Sequence, residues 1–469
     1  FLVALFPVIH LIFPTVFFDQ ITSRLAGTLG NPIFLATYLL FHLFFGLWLA
    51  RYFYKLGKKF WAWMFFIISI FNLGVILLTQ TRGVFLGLLA TVLVFAALAI
   101  FNRDLNKTLR IGLVACFVFL VIFGLFFIFT KNQFSGFWSQ VPVLSRFAGD
   151  ASSITPRLIA WEIAVKAFLE RPILGWGWEN YYYVFNKNFE SRTDLTGGHE
   201  AYFDKPHNAF LEVMIAGGVL SFLLYLLFLS IVFYKIWRLK SDAKFWFLGL
   251  LIAYLVQNFF VFDTLTSYIM FFVVLAFLDA PADYVKNLKV YSAGVRLPAL
   301  AILLILAFTL FFFTNYRALL ANHWQYRAIN YLVQQQTEAG LDYFRKALSV
   351  SNVYANYIKR DLGAAIPQLW EQGQNISKET VKEAIGFLKS AADSDPVNYA
   401  VHITLADIAP SVQVLDVSYL DLAEKEAKIA QSLSPKRQNP LYALAKIKSA
   451  KGDQEGALKA MQEAIDLDP

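Results

Sequence analysis

The sequence predicts an all-α protein: a polytopic bundle of transmembrane helices, then an α-helical repeat domain of tetratricopeptide (TPR) type. Three observations carry this. Of 469 residues, 58% are apolar and only 16% are charged, against about 25% charged in an ordinary soluble domain. Mean hydropathy is +0.53, and the apolar residues fall in runs long enough to cross a bilayer. After residue 314 the Phe-rich text gives way to Ala, Lys, Glu and Gln at helical spacing. This composition excludes a soluble globular enzyme, a disordered chain and a coiled coil. The single cysteine, Cys116, excludes an intrachain disulfide and a cysteine-based metal site.

Nine spans are expected, at 1–18, 33–50, 61–78, 84–101, 111–129, 208–233, 245–261, 265–279 and 298–314. Pro7 and Pro14 make the first of them incomplete or partly interfacial. The loops alternate in charge. One set holds 14 basic residues: Arg51, Lys55, Lys58 and Lys59; Arg103, Lys107 and Arg110; Lys235, Arg238, Lys240 and Lys244; Lys286, Lys289 and Arg296. The opposite short loops carry only Arg24 and Arg82. By the positive-inside rule the first set is cytoplasmic, so the segment 131–207 and everything after 314 face outward. Residues 315–469 hold 17 Lys+Arg and 18 Asp+Glu. The tail is thus −1 and the membrane half +9 of the overall +8, and that charge reports topology and contact with anionic membrane lipids. Nothing in it resembles a nucleic-acid footprint. The expected domains are 1–314, a membrane domain including the large loop 131–207, and 315–469, the repeats. A chain that starts at Phe1 and stops at Asp-Leu-Asp-Pro reads as a fragment, short of some N-terminal spans.

The tail carries its own period. Helices end at Asp395-Pro396, Ser434-Pro435 and Asp468-Pro469, spaced by 39 and then 34 residues. A period of about 34 residues is that of TPR helix–turn–helix units. Gly452-Asp453 before "QEGALKAMQEAIDLDP" fits the turn and second helix of one unit. Such arrays bind partners rather than catalyse. Acceptor docking, a protein partner and a plain spacer all remain open. Asp393-x-Asp395 and Asp466-x-Asp468 have the spacing of metal-binding pairs, but at helix ends before Pro they read as turn chemistry.

The loop 131–207 is far longer than a connector, which points to function there. It holds eight basic and eight acidic residues, so particular side chains matter more than the sum. "PRLIAWEIAVKAFLER" reads as an amphipathic helix with Pro156 in its first turn, an Ile159–Ile163–Ala167 stripe, and Pro172 as its stop. Arg157 sits in that first turn, against the helix dipole. There it either joins the helix N-terminus in binding an anion such as phosphate or pairs with Glu162 or Asp150. "RPILGWGWENYYYVF" supplies Gly turns and aromatics, suited to a membrane interface or to stacking on a sugar. "KPHNAFLEVMIAGG" opens the next span. His207 at its mouth is either a general base or an interfacial anchor. Asn208 and Glu212 follow as i and i+4 on one helical face, and an acid inside a span is a functional hypothesis by default. In the "LLTQTRGVFLG" hairpin Arg82 is the lone charge, reaching either lipid phosphate or a bound anion.

In order, "RLAGTLGNPIFLATYLL", "TQTRGVFLG", "PRLIAWEIAVKAFLERPILGWG" and "HNAFLEVMIAGG" resemble the O-antigen ligase superfamily, which includes O-antigen polymerases and bacterial O-oligosaccharyltransferases. The resemblance covers roughly residues 20–280. His207-Asn208 followed nine residues later by Gly218 fits the ligase pattern, but Ser221 stands where the pattern usually has Gly, Thr or Tyr. That departure bears on the ligase subgroup rather than the superfamily. The resemblance implies a GT-C-type membrane fold in the bacterial cytoplasmic (inner) membrane. It implies an inverting, metal-independent glycosyltransferase without a cofactor, using an undecaprenyl-diphosphate-linked glycan as donor. The acceptor would be a hydroxyl of a glycan, lipid or protein. Carried onto this chain, Arg82 and Arg157 bind the donor diphosphate and His207 serves the acceptor hydroxyl, with Arg24, Asn208 and Glu212 as possible supports. Fixed guanidiniums can offset the charge of a diphosphate leaving group without a metal. Polymerisation of lipid-linked repeat units is the near alternative. A transporter or flippase with a partner-binding tail is the distant one, and it would call for broken helices or ionisable groups at mid-membrane.

Overall fold

The computed structural model describes residues 3–5, 8, 25–101, 107–140, 155–196, 202–239, 242–279, 293–350 and 355–467. Among these, all regular structure is helical, with no strand. The expected first span, 1–18, lies outside the described residues apart from Val3 to Leu5 and Val8. Arg24 and Asp150 lie outside them too. The chain divides into two compact units, Phe1–Tyr181 with Phe203–Lys286, and Tyr182–Tyr202 with Asn287–Pro469.

The first unit is a bundle of apolar helices: α1 (Pro32–Lys55), α2 (Lys59–Leu78), α3 (Arg82–Phe101), α4 (Lys107–Thr130), the short α5 (Ser135–Gln140), α6 (Thr155–Glu170), α7 from Tyr181 to Lys187 at its border, α8 (Ala209–Arg238), α9 (Ala243–Asn258) and α10 (Leu265–Asp279). Five of these, α1 to α4 and α8, are long and apolar enough to cross a membrane, and so is the stretch Leu297–Val333 of the second unit. The protein is a multi-pass membrane protein. Of the expected spans, 33–50, 61–78, 84–101, 111–129, 208–233 and 298–314 fall on these helices, whereas 245–261 and 265–279 fall on the shorter apolar helices α9 and α10. Starts are set locally: the Asn31 side chain accepts from the Ile33 amide at 2.8 Å, with Pro32 at the first helical position. Small residues bring helices close. A Cβ on Gly87 of α3 would collide with the Ala253 carbonyl of α9, and Thr91 Oγ donates to the Gly249 carbonyl at 3.0 Å. Small side chains at four-residue spacing let backbones approach, which is how helices associate where lipid removes the hydrophobic drive. At one end of the bundle Asp242 pairs with Lys55 (2.6 Å) and Arg51 (3.1 Å), and these cations hold its carboxyl below the usual range.

Two helices depart from the expected spans. α9 stops at Asn258, although its apolar run continues to Val261. At 16 residues it is about 24 Å long, short of the roughly 30 Å hydrocarbon core. The Val261 carbonyl is taken by the Ala209 amide (3.0 Å) and the Asp263 carboxylate gathers three side chains, so the backbone is diverted from helix. α8 is broken inside, at Gly218 (φ 66, ψ −164). The break frees the carbonyls of Ile215 and Ala216 and the amide of Val219. The turn 172–177 occupies all three: Trp176 and Gly177 amides donate to the two carbonyls at 2.8 Å, and Val219 donates to Pro172 at 2.8 Å. Broken helices persist at membrane depth only where such groups are satisfied again.

The second unit holds α11 (Ala293–Phe311), which runs through a π-helical turn, Phe312–Tyr316, into α12 (Arg317–Val333). Helical hairpins follow: α12 with α13 (Thr337–Val350), α14 (Ala355–Glu371) with α15 (Lys378–Ser394), α16 (Tyr399–Ile408) with α17 (Ser418–Leu433), and α18 (Asn439–Ala450) with α19 (Gln454–Leu467). Alanines and leucines form their core, including Ala384, Leu388, Ala391, Ala406, Ala423, Ala427 and Ala430. Asp395 accepts from Asn398 at 2.9 Å in a turn, as expected of its position. Among the described residues no group of His, Cys, Asp or Glu is arranged to hold a metal. The loop segment 182–202 belongs with these hairpins rather than with the bundle.

Candidate active site

Three helices of the bundle unit begin near one short segment, 257–263. α3 begins at Arg82, and the next residue, Gly83, packs with its missing Cβ toward Gln257 and Phe260. α6 carries Arg157 in its first turn and Trp161 one turn on; the Trp161 ring lies 6.2 Å from that of Phe260. α8 begins after His207, and its first amide bonds the Val261 carbonyl. The His207 ring meets Phe262 edge-on at 5.2 Å and Phe203 at 5.4 Å. The same ridge therefore touches the surroundings of Arg82, Arg157 and His207. Sequence reasoning missed it, because the segment contains ordinary apolar residues and had been assigned to a helix.

Both arginines are half-buried, and their Nε atoms are shielded from solvent. α6 buries Ile159, Ile163 and Ala167 as the stripe predicted. Glu162 on its outer side bonds Lys166 at 3.1 Å. The hairpin before Arg82 is fastened by hydroxyls: Thr79 donates to Ile76 (2.7 Å) and to Thr81 (3.0 Å), and Thr81 to the Pro32 carbonyl (3.4 Å). Gln257 also reaches Thr37. A helix N-terminus carries partial positive charge, so each arginine adds a full charge where its helix is already positive.

His207 holds φ 51, in the left-handed region that non-glycine residues seldom adopt. Gln80 (φ 52) and Glu179 (φ 63) share it, beside Arg82 and beside Lys205 respectively. Backbone strain of this kind gathers at functional sites. The His207 Nδ1 lies 3.2 Å from the Lys205 carbonyl. A carbonyl can only accept, so Nδ1 carries the proton and Nε2 is the acceptor nitrogen. Asn208 caps α8, its side chain accepting from Phe210 (3.0 Å) and Leu211 (3.1 Å). It is therefore turned back into the cap and serves the helix that His207 precedes.

Two ionisable groups that the sequence did not single out lie beside these. Lys205, with a side chain only 17% exposed, bonds Glu179 and Glu212, each at 2.8 Å. Burial pushes its ammonium down, but the two carboxylates outweigh that and hold it above the usual lysine range. Glu212 thus has its partner seven residues upstream, in the bend before Pro206. Asp263 accepts from Tyr254 (2.5 Å), Ser267 (2.8 Å) and Asn258 (3.2 Å). Burial pushes its carboxyl up and the hydrogen bonds oppose that. Its neighbours Thr264 and Ser267 cap α10 reciprocally. An acid between two apolar runs was the available signal for it. Of the aromatics, Trp178 is 55% exposed, whereas Tyr181 is buried and donates to the Ala160 carbonyl at 2.6 Å.

Residues 65–226, about a third of the chain, match the family model described as O-Antigen ligase. The match contains Arg82, Arg157, His207 and the break at Gly218, and ends before the 257–263 ridge. This stretch is similar to that family; the rest of the chain lies outside the match. Comparison with curated proteins finds no match.

Proposed function

With residues 65–226 as a domain of the O-antigen ligase superfamily, we propose that the protein transfers a glycan from an undecaprenyl-diphosphate donor to an acceptor hydroxyl at the outer face of the bacterial cytoplasmic membrane. The observation that carries this is that the helix starts bearing Arg82 and Arg157, through Gly83 and Trp161, and His207 itself all pack against the 257–263 ridge. The acceptor oxygen attacks the anomeric carbon and gives its proton to His207 Nε2. The bond from that carbon to the diphosphate breaks, with inversion, and the lipid diphosphate leaves with the electron pair. Arg82 and Arg157 stabilise the charge on the departing diphosphate, acting as bidentate donors at two helix N-termini. The 257–263 ridge and the Asn208 cap hold the histidine, and Lys205 and Glu212 tie the loop to α8. No step calls for a metal or cofactor. Polymerisation is the same chemistry with a lipid-linked repeat unit as acceptor. The hairpin array favours an extended protein or glycan acceptor, in keeping with a TPR-type binding surface. A transporter would use the freed groups of a broken helix to line a path; here the turn 172–177 occupies those groups.

The test is binding of undecaprenyl diphosphate and transfer from the lipid-linked donor, with Arg82→Lys and Arg157→Lys beside wild type. Lysine keeps the charge but loses the planar fork. Each variant should lose about 10-fold or more in turnover, equivalent to roughly 1.4 kcal/mol. Wild-type transfer should survive EDTA. Lysine variants that match wild type would leave the arginines as interfacial anchors. Activity lost on chelation and restored by Mg²⁺ would overturn the metal-free mechanism.

A further inference from the structure

The hairpin unit contains a buried polar cluster, around Arg437, that the proposed chemistry does not use. Arg437, on the turn between α17 and α18, is only 2% exposed. Its guanidinium lies 3.9 Å from the ring centre of Phe189, 4.6 Å from Tyr202 and 5.0 Å from Tyr399, and donates to Asn186 Oδ1 at 3.2 Å. Asn186 is held throughout. Its carbonyl accepts from Ser434 Oγ at 2.7 Å and its side-chain amide donates to the Tyr182 carbonyl at 2.8 Å. The Tyr182 hydroxyl accepts from the Ala400 amide at 3.1 Å, and burial pushes that phenol up to about 12. Glu190 faces Lys436 at 3.7 Å. Phe189, Tyr202, Asn186 and Tyr182 all come from the loop segment 182–202; Arg437, Ser434, Tyr399 and Ala400 come from the array.

The clasped segment has two flanks, and each runs directly into the candidate site. Immediately before it, Tyr181 donates to Ala160 of α6, one turn from Arg157. Immediately after it, Phe203 is buried with its ring against His207. A spacer or a docking module would need no such cluster, since burying a guanidinium is costly unless it is stacked and bonded.

We infer that Arg437 is a positioning residue: by closing the segment 182–202 onto the array, it restrains both Tyr181 on the Arg157 helix and Phe203 beside His207. The clasp then fixes both ends of a segment that continues, along the chain, into the Arg157 helix on one side and His207 on the other. The chain entropy of the 21-residue segment would otherwise loosen both flanks. The role of those flanks in transfer rests on the function proposed above; the clasp itself does not.

Amide hydrogen exchange on the full chain in detergent tests this without any ligand. Asn186→Ala removes the Arg437 bond from the loop side and leaves the array sequence intact; Arg437→Ala removes it from the array side. Both should speed exchange at least about tenfold, in 182–202 and also in Thr155–Glu170 and Phe203–Asn208, with the array's thermal unfolding unchanged for Asn186→Ala. Asn186→Asp, which keeps an acceptor toward Arg437, should restore most of the protection, as a general packing defect would not. Faster exchange confined to 182–202 would overturn the coupling, and unchanged exchange everywhere would overturn the clasp. Undecaprenyl diphosphate binding is measured beside these. Failure of wild type to bind it would refute the proposed function and leave the exchange result standing. Severalfold weaker binding by Asn186→Ala, with α6 loosened, is the expected result.

Discussion

In the bundle, Thr37, Thr79, Thr81, Gln257, Asn258 and Ser267 are buried together at the end where α3, α6 and α8 begin. In the hairpin unit the core is mainly alanine, leucine and isoleucine, and buried polar groups gather chiefly at Arg437 with Asn186 and Ser434, and at His402 with Glu426. The His402 and Glu426 side chains meet at 2.5 Å, each 3% exposed. Polar groups cost free energy to bury and are kept only when bonded. Where they concentrate, packing alone does not explain the sequence. In the bundle that place is the Arg82–Arg157–His207 end. In the array it is the contact with the loop that leads there. Elsewhere the helical hairpins of the array pack alanines against aliphatic and aromatic side chains, with few polar groups buried.

The largest effect expected from breaking this contrast is at His207. His207→Ala should abolish transfer while helix content and membrane insertion stay as in wild type, because the ring serves chemistry and the Asn208 cap holds α8. Near-normal transfer by a well-expressed variant would remove His207 from the mechanism.

A pair of glycines sharpens the comparison next. Gly218 needs φ 66, and a Cβ there would run into the Ile173 carbonyl. Gly386, exposed in α15, has open space around it. Gly218→Ala should cost about 1–3 kcal/mol in backbone strain alone and lower the folded yield. Gly386→Ala should instead add up to about 1 kcal/mol through helix propensity. Thermal unfolding in detergent reads both. Equal effects of the two substitutions would mean that the break in α8 is not a fixed feature.

The smallest effect expected is one of pH on the array. Glu424 bonds Lys428 (2.6 Å) and Lys451 (2.7 Å), and those ammonium groups hold its carboxyl down at about 2 from 4.5. A carboxyl whose folded value is depressed stabilises the fold above its unfolded value and loses that contribution as pH falls. The α17–α18 contact should therefore weaken progressively as pH drops from about 4.5 toward 2. Glu424→Gln should flatten that part of the acid-unfolding curve. The side chain is near the surface, so the change is modest and shrinks with added salt.

The sequence by itself determined the helical class, the positions of the long apolar helices from residue 32 onward, and the arginines and histidine worth asking about. Hydropathy and local caps are short-range properties, and they do not depend on which helix lies beside which. Pro156 and the Ile159–Ile163–Ala167 stripe were legible for that reason, whereas Gly218 stood out only through its place in a family pattern, without its break. Only the tertiary structure decided that α9 stops at Asn258, since Val261 is diverted by Ala209 and Asp263 by Tyr254 and Ser267, partners whose bonds appear only once the helices pack. It also gave Glu212 its ion pair with Lys205 across a strained turn, and closed the break at Gly218 with a loop 41 to 46 residues earlier. Arg437 was the least legible of all. In the sequence it is one more cation in a charge-balanced tail, and its neighbours Phe189, Tyr202 and Asn186 lie more than 200 residues away. Contacts at that separation carry no local pattern, so only the folded chain could bring them together.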